Sequence, residues 1–239
     1  MCGRFTNKLT WEEIVRLYRL TIQAPPHNLR PRYNICPTDP VDVVTERDGN
    51  RDFVRMRWGL VPSWWPKPLK ELKAATFNAR ADTVADKPFF RDAFRRTRCL
   101  IPASGYYEWQ NTATGKQPWY FIRADGEPMS FAGLWDEWKD KTTGEVLKSC
   151  TMLITEPNDF VAEVHDRMPV VLESKDFASW LNDGGSALLR PAENEVLQRW
   201  PVSRRVNSSR APADDPTLIE RVEVTLQTAF LRTTRPFRL

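Results

Sequence analysis

Five short apolar runs follow one another between Cys99 and Thr155: Cys99–Pro102, Tyr106–Gln110, Trp119–Arg123, Ser130–Trp135 and Ser149–Thr155. Each has strand length, and turn residues separate them, which predicts successive antiparallel strands rather than crossovers through helices. Upstream, Val41–Thr45 and Phe53–Leu60 read the same way, as does Met168–Leu172 downstream. Helical stretches enter irregularly. Thr10 and Glu13 form a capping-box pair ahead of Trp11, Ile14, Val15 and Tyr18, an apolar stripe at helical spacing. Lys87–Phe94, Asn158–His165, Ser174–Leu181 and Ala192–Trp200 also read as helical. Residues 24–40 hold five prolines and are expected to form a long irregular loop. VEVTLQ is strand-like, and 230–239 reads as a loose tail. The fold class expected is α+β, a mostly antiparallel, barrel-like sheet with short inserted helices. No repeat, linker or composition break divides the 239 residues, so one domain over 1–239 is expected.

Charge narrows the partner. The net charge of +4 is uneven: residues 1–120 carry 20 basic and 12 acidic side chains, whereas 121–239 carry 15 and 19. A basic half suits an anionic partner such as nucleic acid; a scattered, solvated surface gives the same count. Arginine outnumbers lysine 25 to 10, which fits phosphate contacts or an Arg-favouring codon bias equally well. No apolar run approaches membrane-spanning length and no secretory signal is visible, so a cytoplasmic protein without membrane contact is expected.

The motif survey is mostly negative. GxGxxG, P-loop, GxSxG and HExxH patterns are absent. The two histidines, His27 and His165, nearly exclude a histidine-rich metal site, and Cys2, Cys36, Cys99 and Cys150 form no CxxC pair. No metal and no cofactor are expected. His27 reads as structural or exposed, and Cys36, Cys99 and Cys150 as core thiols.

Cys2 stands out. Removal of Met1 would leave an α-amine and a thiol on adjacent carbons, both partly reactive near neutrality. An aldehyde would give a Schiff base that the thiol closes into a thiazolidine. An amide would instead be attacked as in N-terminal nucleophile hydrolases. A small residue of no consequence is the third reading.

MCGRF at the N-terminus, RYNICPT (32–38), WGLVPSWW (58–65), FNARAD (77–82), RCLIPASGYYEW (98–109) and HDRMPVVL (165–172) occur in that order. Together they resemble the signature blocks of the SRAP (SOS response-associated peptidase) family over about residues 2–205. Asp82 stands where that family more often has Glu, and the stretch at Trp64–Trp65 departs from it. The resemblance implies a DNA-damage-response protein that binds single-stranded DNA and crosslinks abasic sites through a thiazolidine on Cys2. Autoproteolytic peptidase activity is also implied, as is association with the nucleoid when DNA is damaged. It further implies catalytic roles for Cys2, Asn78, Glu108 and His165. A monomer is expected. A cysteine peptidase using Cys2, or a non-catalytic binder of single-stranded or modified DNA, are the alternatives.

Chemistry gives these residues roles. Glu108, in an aromatic strand, is a candidate for a raised pKa and for proton relay at the amine. His165, titrating near 6.5, can protonate the sugar oxygen. Asn78 can orient the amine or the open sugar. Arg4, Arg80 and Arg167 lie within two residues of these groups and are candidates for phosphate contacts. Trp64 and Trp65 can stack on bases or pack in the core, with one of the two expected to be buried. The basic run Arg91, Arg95, Arg96 and Arg98 reads as a solvated helix face.

Overall fold

A computed structural model describes residues 2–20, 29–182 and 185–224. In chain order, β1 is Phe5–Asn7, α1 Trp11–Tyr18, β2 Arg32–Ile35, β3 Pro40–Arg47, β4 Asn50–Trp58 and β5 Asn78–Arg80. They are followed by α2 Arg91–Arg96, β6 Arg98–Ala103, β7 Gly105–Thr112, β8 Gly115–Arg123, β9 Met129–Lys139 and β10 Val146–Thr155. The last elements are α3 Asp159–Ala162, β11 Met168–Pro169, α4 Phe177–Asn182 and β12 Leu197–Pro201.

The strands form two sheets. In one, β4, β3, β6, β9 and β10 pair in turn, and β10 returns to β4, closing a five-stranded barrel. The closing β10–β4 pair is parallel, and β5 continues the line of β4 along β10, also parallel. Closure leaves no exposed edge around this ring. The second sheet is antiparallel throughout, in the order β12-β8-β7-β1-β2. The expected α+β architecture with a barrel-like, mostly antiparallel sheet is what the chain forms.

Local chemistry explains several elements. Thr10 Oγ1 accepts the Glu13 amide at 3.2 Å and Glu13 Oε2 accepts the Thr10 amide at 2.8 Å, so the capping box is complete. The β3–β4 hairpin turns on Asp48–Gly49, both at positive φ (51° and 76°), the conformation of a two-residue turn whose twist matches its strands.

Alternation along the strands feeds two cores. Val43, Ile101, Phe131 and Met152 pack with Phe5, Tyr106 and Phe121 of the second sheet. Val44, Leu100, Leu134 and Leu153 pack with Ile14 and Tyr18 of α1 and with Phe177 and Trp180 of α4. Each fully buried large side chain contributes about 1.5–3 kcal/mol. The sheets meet through Phe5, whose ring lies edge-on to Trp58 at 5.0 Å and to Phe131 at 6.1 Å.

Some sequence expectations are corrected. Ala192–Trp200 is not helical: after a single turn at Asn194–Val196, β12 runs antiparallel to β8. Within 24–40, Arg32–Ile35 is a strand against β1. Lys87–Phe90 is a turn, and the helix begins only at Arg91. Met168–Leu172 shortens to Met168–Pro169 plus an isolated bridge at Val171. VEVTLQ is not a strand at 222–224; its remainder, the tail 230–239, Met1 and His27 lie outside the described residues. Cys99 and Cys150 are core thiols, but Cys36 is half-buried, its sulfur facing the Asn34 carbonyl at 3.5 Å. Arg98 leaves the solvated run and lies over the rings of Phe94 and Trp180, at 5.0 and 5.1 Å.

Candidate functional site

The register of the second sheet delivers Cys2 to Glu108. Phe5 faces Tyr106 and Thr6 faces Gly105, and the Tyr107 amide donates to the Arg4 carbonyl at 3.0 Å. Continuing that line brings Cys2, just ahead of β1, alongside Glu108 and Trp109 of β7. Gly105 starts β7 where nothing larger fits: a Cβ there would lie 2.5 Å from both the Phe121 carbonyl and the Tyr120 hydroxyl.

Asn78 arrives from the barrel. It opens β5 opposite Met152, and its Nδ2 donates to the Cys2 carbonyl at 3.0 Å. His165 follows α3, whose Asn158 cap accepts the Val161 amide at 2.8 Å; the His165 amide in turn donates to the Val161 carbonyl. Its Nε2 stands 3.6 Å from Glu108 Oε2. The four residues assigned by resemblance, Cys2, Asn78, Glu108 and His165, are thus brought together from four separate segments.

The surroundings are dry. Cys2 and Glu108 are each 1 % exposed. Burial, with the Glu108 carboxyl beside it as hydrogen-bond partner, pushes the Cys2 thiol well above its ordinary value. Burial likewise pushes Glu108 up to about 7, opposed in part by its hydrogen bond with Cys2. Burial lowers His165 from its ordinary value, against the neighbouring Asp166 carboxylate, which raises it. His165 Nδ1 has three neighbours: the Arg167 amide at 3.0 Å, Asp166 Oδ1 at 3.2 Å and the Arg167 carbonyl at 3.3 Å. The amide contact is the shortest, so we assign Nδ1 as acceptor and the proton of the neutral ring to Nε2, toward Glu108. Burial thus moves the two groups in opposite directions from their ordinary values, the carboxyl up and the imidazole down.

Two buried polar atoms here lack a hydrogen-bond partner among the described residues, Glu108 Oε1 and Asn78 Oδ1. A third, Tyr106 Oη, belongs to a residue that sequence reasoning placed only in a strand. The signal was its spacing: Tyr106 and Glu108 are two apart on β7 and share a face. Among the described residues no group of three or more His, Cys, Asp or Glu side chains is arranged to hold a metal. No helix among them is long and apolar enough to cross a membrane.

The candidate DNA-contacting residues divide. Arg80 is exposed at the end of β5 and bonds to Asp82 in a bidentate pair. It shares a cleft of about 220 Å³ with Arg167 and Asp82. Arg4 turns inward: it donates to Asn34 Oδ1 at 2.5 Å and the Val206 carbonyl at 2.8 Å, over the Trp109 ring. Neither tryptophan is buried, against the expectation for one of them: Trp64 is 44 % exposed and Trp65 half-buried, because both pack against Phe89 in a surface loop rather than in the core. Their loop is pinned by the Ser63 amide on Asp136, which faces Ser149 of β10, three residues from the Asn78 row. At about 3.3 Å per residue this sets the Ser149–Asp136 row that anchors the loop roughly 10 Å along β10 from the Asn78 row.

The profile of the family described as SOS response associated peptidase (SRAP) matches residues 1–209. Abasic site processing protein YoqW of Bacillus subtilis (strain 168) is 32% identical over 227 residues, covering 92% of this chain and 99% of that protein. Abasic site processing protein YedK of Escherichia coli (strain K12) is 29% identical, covering 76% of this chain and 79% of its own. Among solved structures, a protein from Bacteroides thetaiotaomicron superposes with a TM-score of 0.83 at 26% identity, over 93% of this chain and 100% of that one.

Proposed function

The chain belongs to the SRAP family, and from that premise we propose that it captures abasic sites in single-stranded DNA as a covalent adduct on Cys2. The carrying observation is the buried pair of Cys2 and Glu108, a nucleophile against a carboxyl whose pKa lies near 7. Relatives named abasic site processing proteins support the substrate.

The chemistry needs Met1 removed so that the α-amine is free. The amine adds to the aldehyde carbon of the ring-opened deoxyribose. The resulting carbinolamine loses water to a protonated Schiff base. The thiol then passes its proton to the Glu108 carboxylate while sulfur bonds to the same carbon, and the C=N π pair returns to nitrogen. One water leaves overall. A group titrating near 7 is present in both forms at neutrality, as such a proton relay requires. Ring closure is intramolecular, where effective molarities reach roughly 10⁵–10⁸ M, so no cofactor is needed. Asn78 holds the Cys2 backbone in place, and His165 Nε2–H hydrogen-bonds the carboxylate when Glu108 ionises. The peptidase activity in the family's description we read as hydrolysis of the Met1–Cys2 amide, which frees the amine.

The test is incubation with an abasic single-stranded oligonucleotide, then a denaturing gel and intact mass. The expected product is protein without Met1 plus DNA, lighter by one water. Cys2→Ala should lose the adduct while DNA affinity stays within several-fold. An undiminished adduct from that variant would overturn the reading, and turnover of a peptide in trans would favour the peptidase instead.

A further inference from the structure

We propose that the Tyr106 hydroxyl is a further catalytic group of this site: it donates a hydrogen bond to the aldehyde oxygen as the Cys2 amine adds. The inference rests on the crosslinking reading above. Tyr106 is fully buried, its ring stacked on Phe121 at 4.9 Å and edge-on to Phe131 at 6.0 Å. That packing holds the ring, yet its hydroxyl has no hydrogen-bond partner among the described residues. An unpartnered buried hydroxyl carries a desolvation cost that phenylalanine would avoid. Cys2 belongs to the same core, and Glu108 shares the Tyr106 face of β7.

Three unpartnered buried atoms, Tyr106 Oη, Glu108 Oε1 and Asn78 Oδ1, belong to residues tied to Cys2: Asn78 donates to its carbonyl, Glu108 is hydrogen-bonded to its thiol and Tyr106 shares its core. Asn78 Oδ1 is an acceptor, and Glu108 offers a proton only while its carboxyl is neutral. The phenol is a donor in either state of Glu108, because burial holds it protonated, with Cys2 and Glu108 adding to that effect. An aldehyde brings one oxygen that gains negative charge as the C=O π pair moves onto it. The phenol meets that charge without giving up its proton. The oxygen then takes a proton relayed from the amine nitrogen through Glu108, giving the carbinolamine. The neutral Glu108 acid gives that hydroxyl a second proton as the C–O bond breaks; the nitrogen lone pair forms C=N, water departs, and Glu108 is left as the carboxylate that accepts the thiol proton. Thr151 Oγ1 is equally unpartnered, but strand alternation puts it on the opposite face of β10 from Met152, away from Asn78.

Tyr106→Phe removes the oxygen and little else. At saturating abasic oligonucleotide, adduct formation should fall about 10²- to 10³-fold, by analogy with loss of one oxyanion-binding donor. The Schiff base trapped by borohydride should slow in parallel, because the defect precedes it. The oligonucleotide concentration giving half the maximal rate should stay within about twofold. The melting temperature should hold or rise, and Thr151→Val should crosslink at the wild-type rate. A wild-type rate in Tyr106→Phe, or a lowered melting temperature, overturns this inference alone. Absence of any adduct from the wild type overturns the crosslinking reading and this inference with it.

Discussion

His165 Nε2 faces Glu108 Oε2 across 3.6 Å, a half-buried imidazole against a fully buried carboxyl. Separation beyond a normal hydrogen bond means a small closure is enough to pass a proton or to clamp the carboxylate. Burial acts on the two groups in opposite senses, favouring the neutral acid and the neutral imidazole together.

The first prediction follows from that pairing. Glu108→Gln should slow crosslinking by about 10²–10⁴-fold. The wild-type rate should rise with pH through about 7 as the carboxylate forms, and the variant should lose that inflection. Stability should respond with a definite sign. The folded pKa is raised from 4.5 to about 7, so the contribution of the neutral acid is fully present below 4.5. It is lost as pH climbs toward 7 and stays lost above. Relative to Glu108→Gln, the wild type should weaken across that window by about 3 kcal/mol, at roughly 1.4 kcal/mol per pKa unit. Denaturant titrations at pH 5 and pH 8 measure it; an equal gap at both would place the ionisation elsewhere.

The arginines should separate by phenotype. Arg80→Ala and Arg167→Ala should each flatten the slope of log K against log salt by about 0.7, the loss of one single-strand phosphate contact. Arg4→Ala should instead lower thermal stability, because that guanidinium ties Asn34 to the Val206 carbonyl. A salt slope unchanged in both Arg80→Ala and Arg167→Ala would remove this cleft from the DNA path.

Gly105→Ala should destabilise by about 1–3 kcal/mol, the usual range for forced overpacking. The new methyl has backbone on one side, the Phe121 carbonyl, and cannot be accommodated by a rotamer change alone. Thermal melting checks it. A neutral effect would mean that β7 shifts freely, and Glu108 with it.

What the sequence discloses depends on how local its cause is. The Thr10–Glu13 cap lies within one turn and is visible in the residues themselves. Arg32–Ile35 becomes a strand only because β1 lies beside it, and prolines on either side disguise it. Leu197–Pro201 has helix-like spacing but is captured by β8. Cys2, Asn78, Glu108 and His165 were named through motif blocks, whereas their convergence is a product of strand register. Tyr106 carries no motif signal as a hydroxyl; only an unpaired atom in a closed core reveals it.

β1 is three residues long and lies between β2 and β7. Chain ends ordinarily fray at almost no free energy. Cys2 occupies such an end without that freedom, since the Arg4 carbonyl is held by Tyr107 and Phe5 is wedged between the two sheets. The lifetime of the reactive geometry is therefore that of one docked strand. Local opening of the N-terminus, rather than global unfolding, sets the fraction of molecules ready to react, and hydrogen exchange at the Tyr107 amide reports it directly.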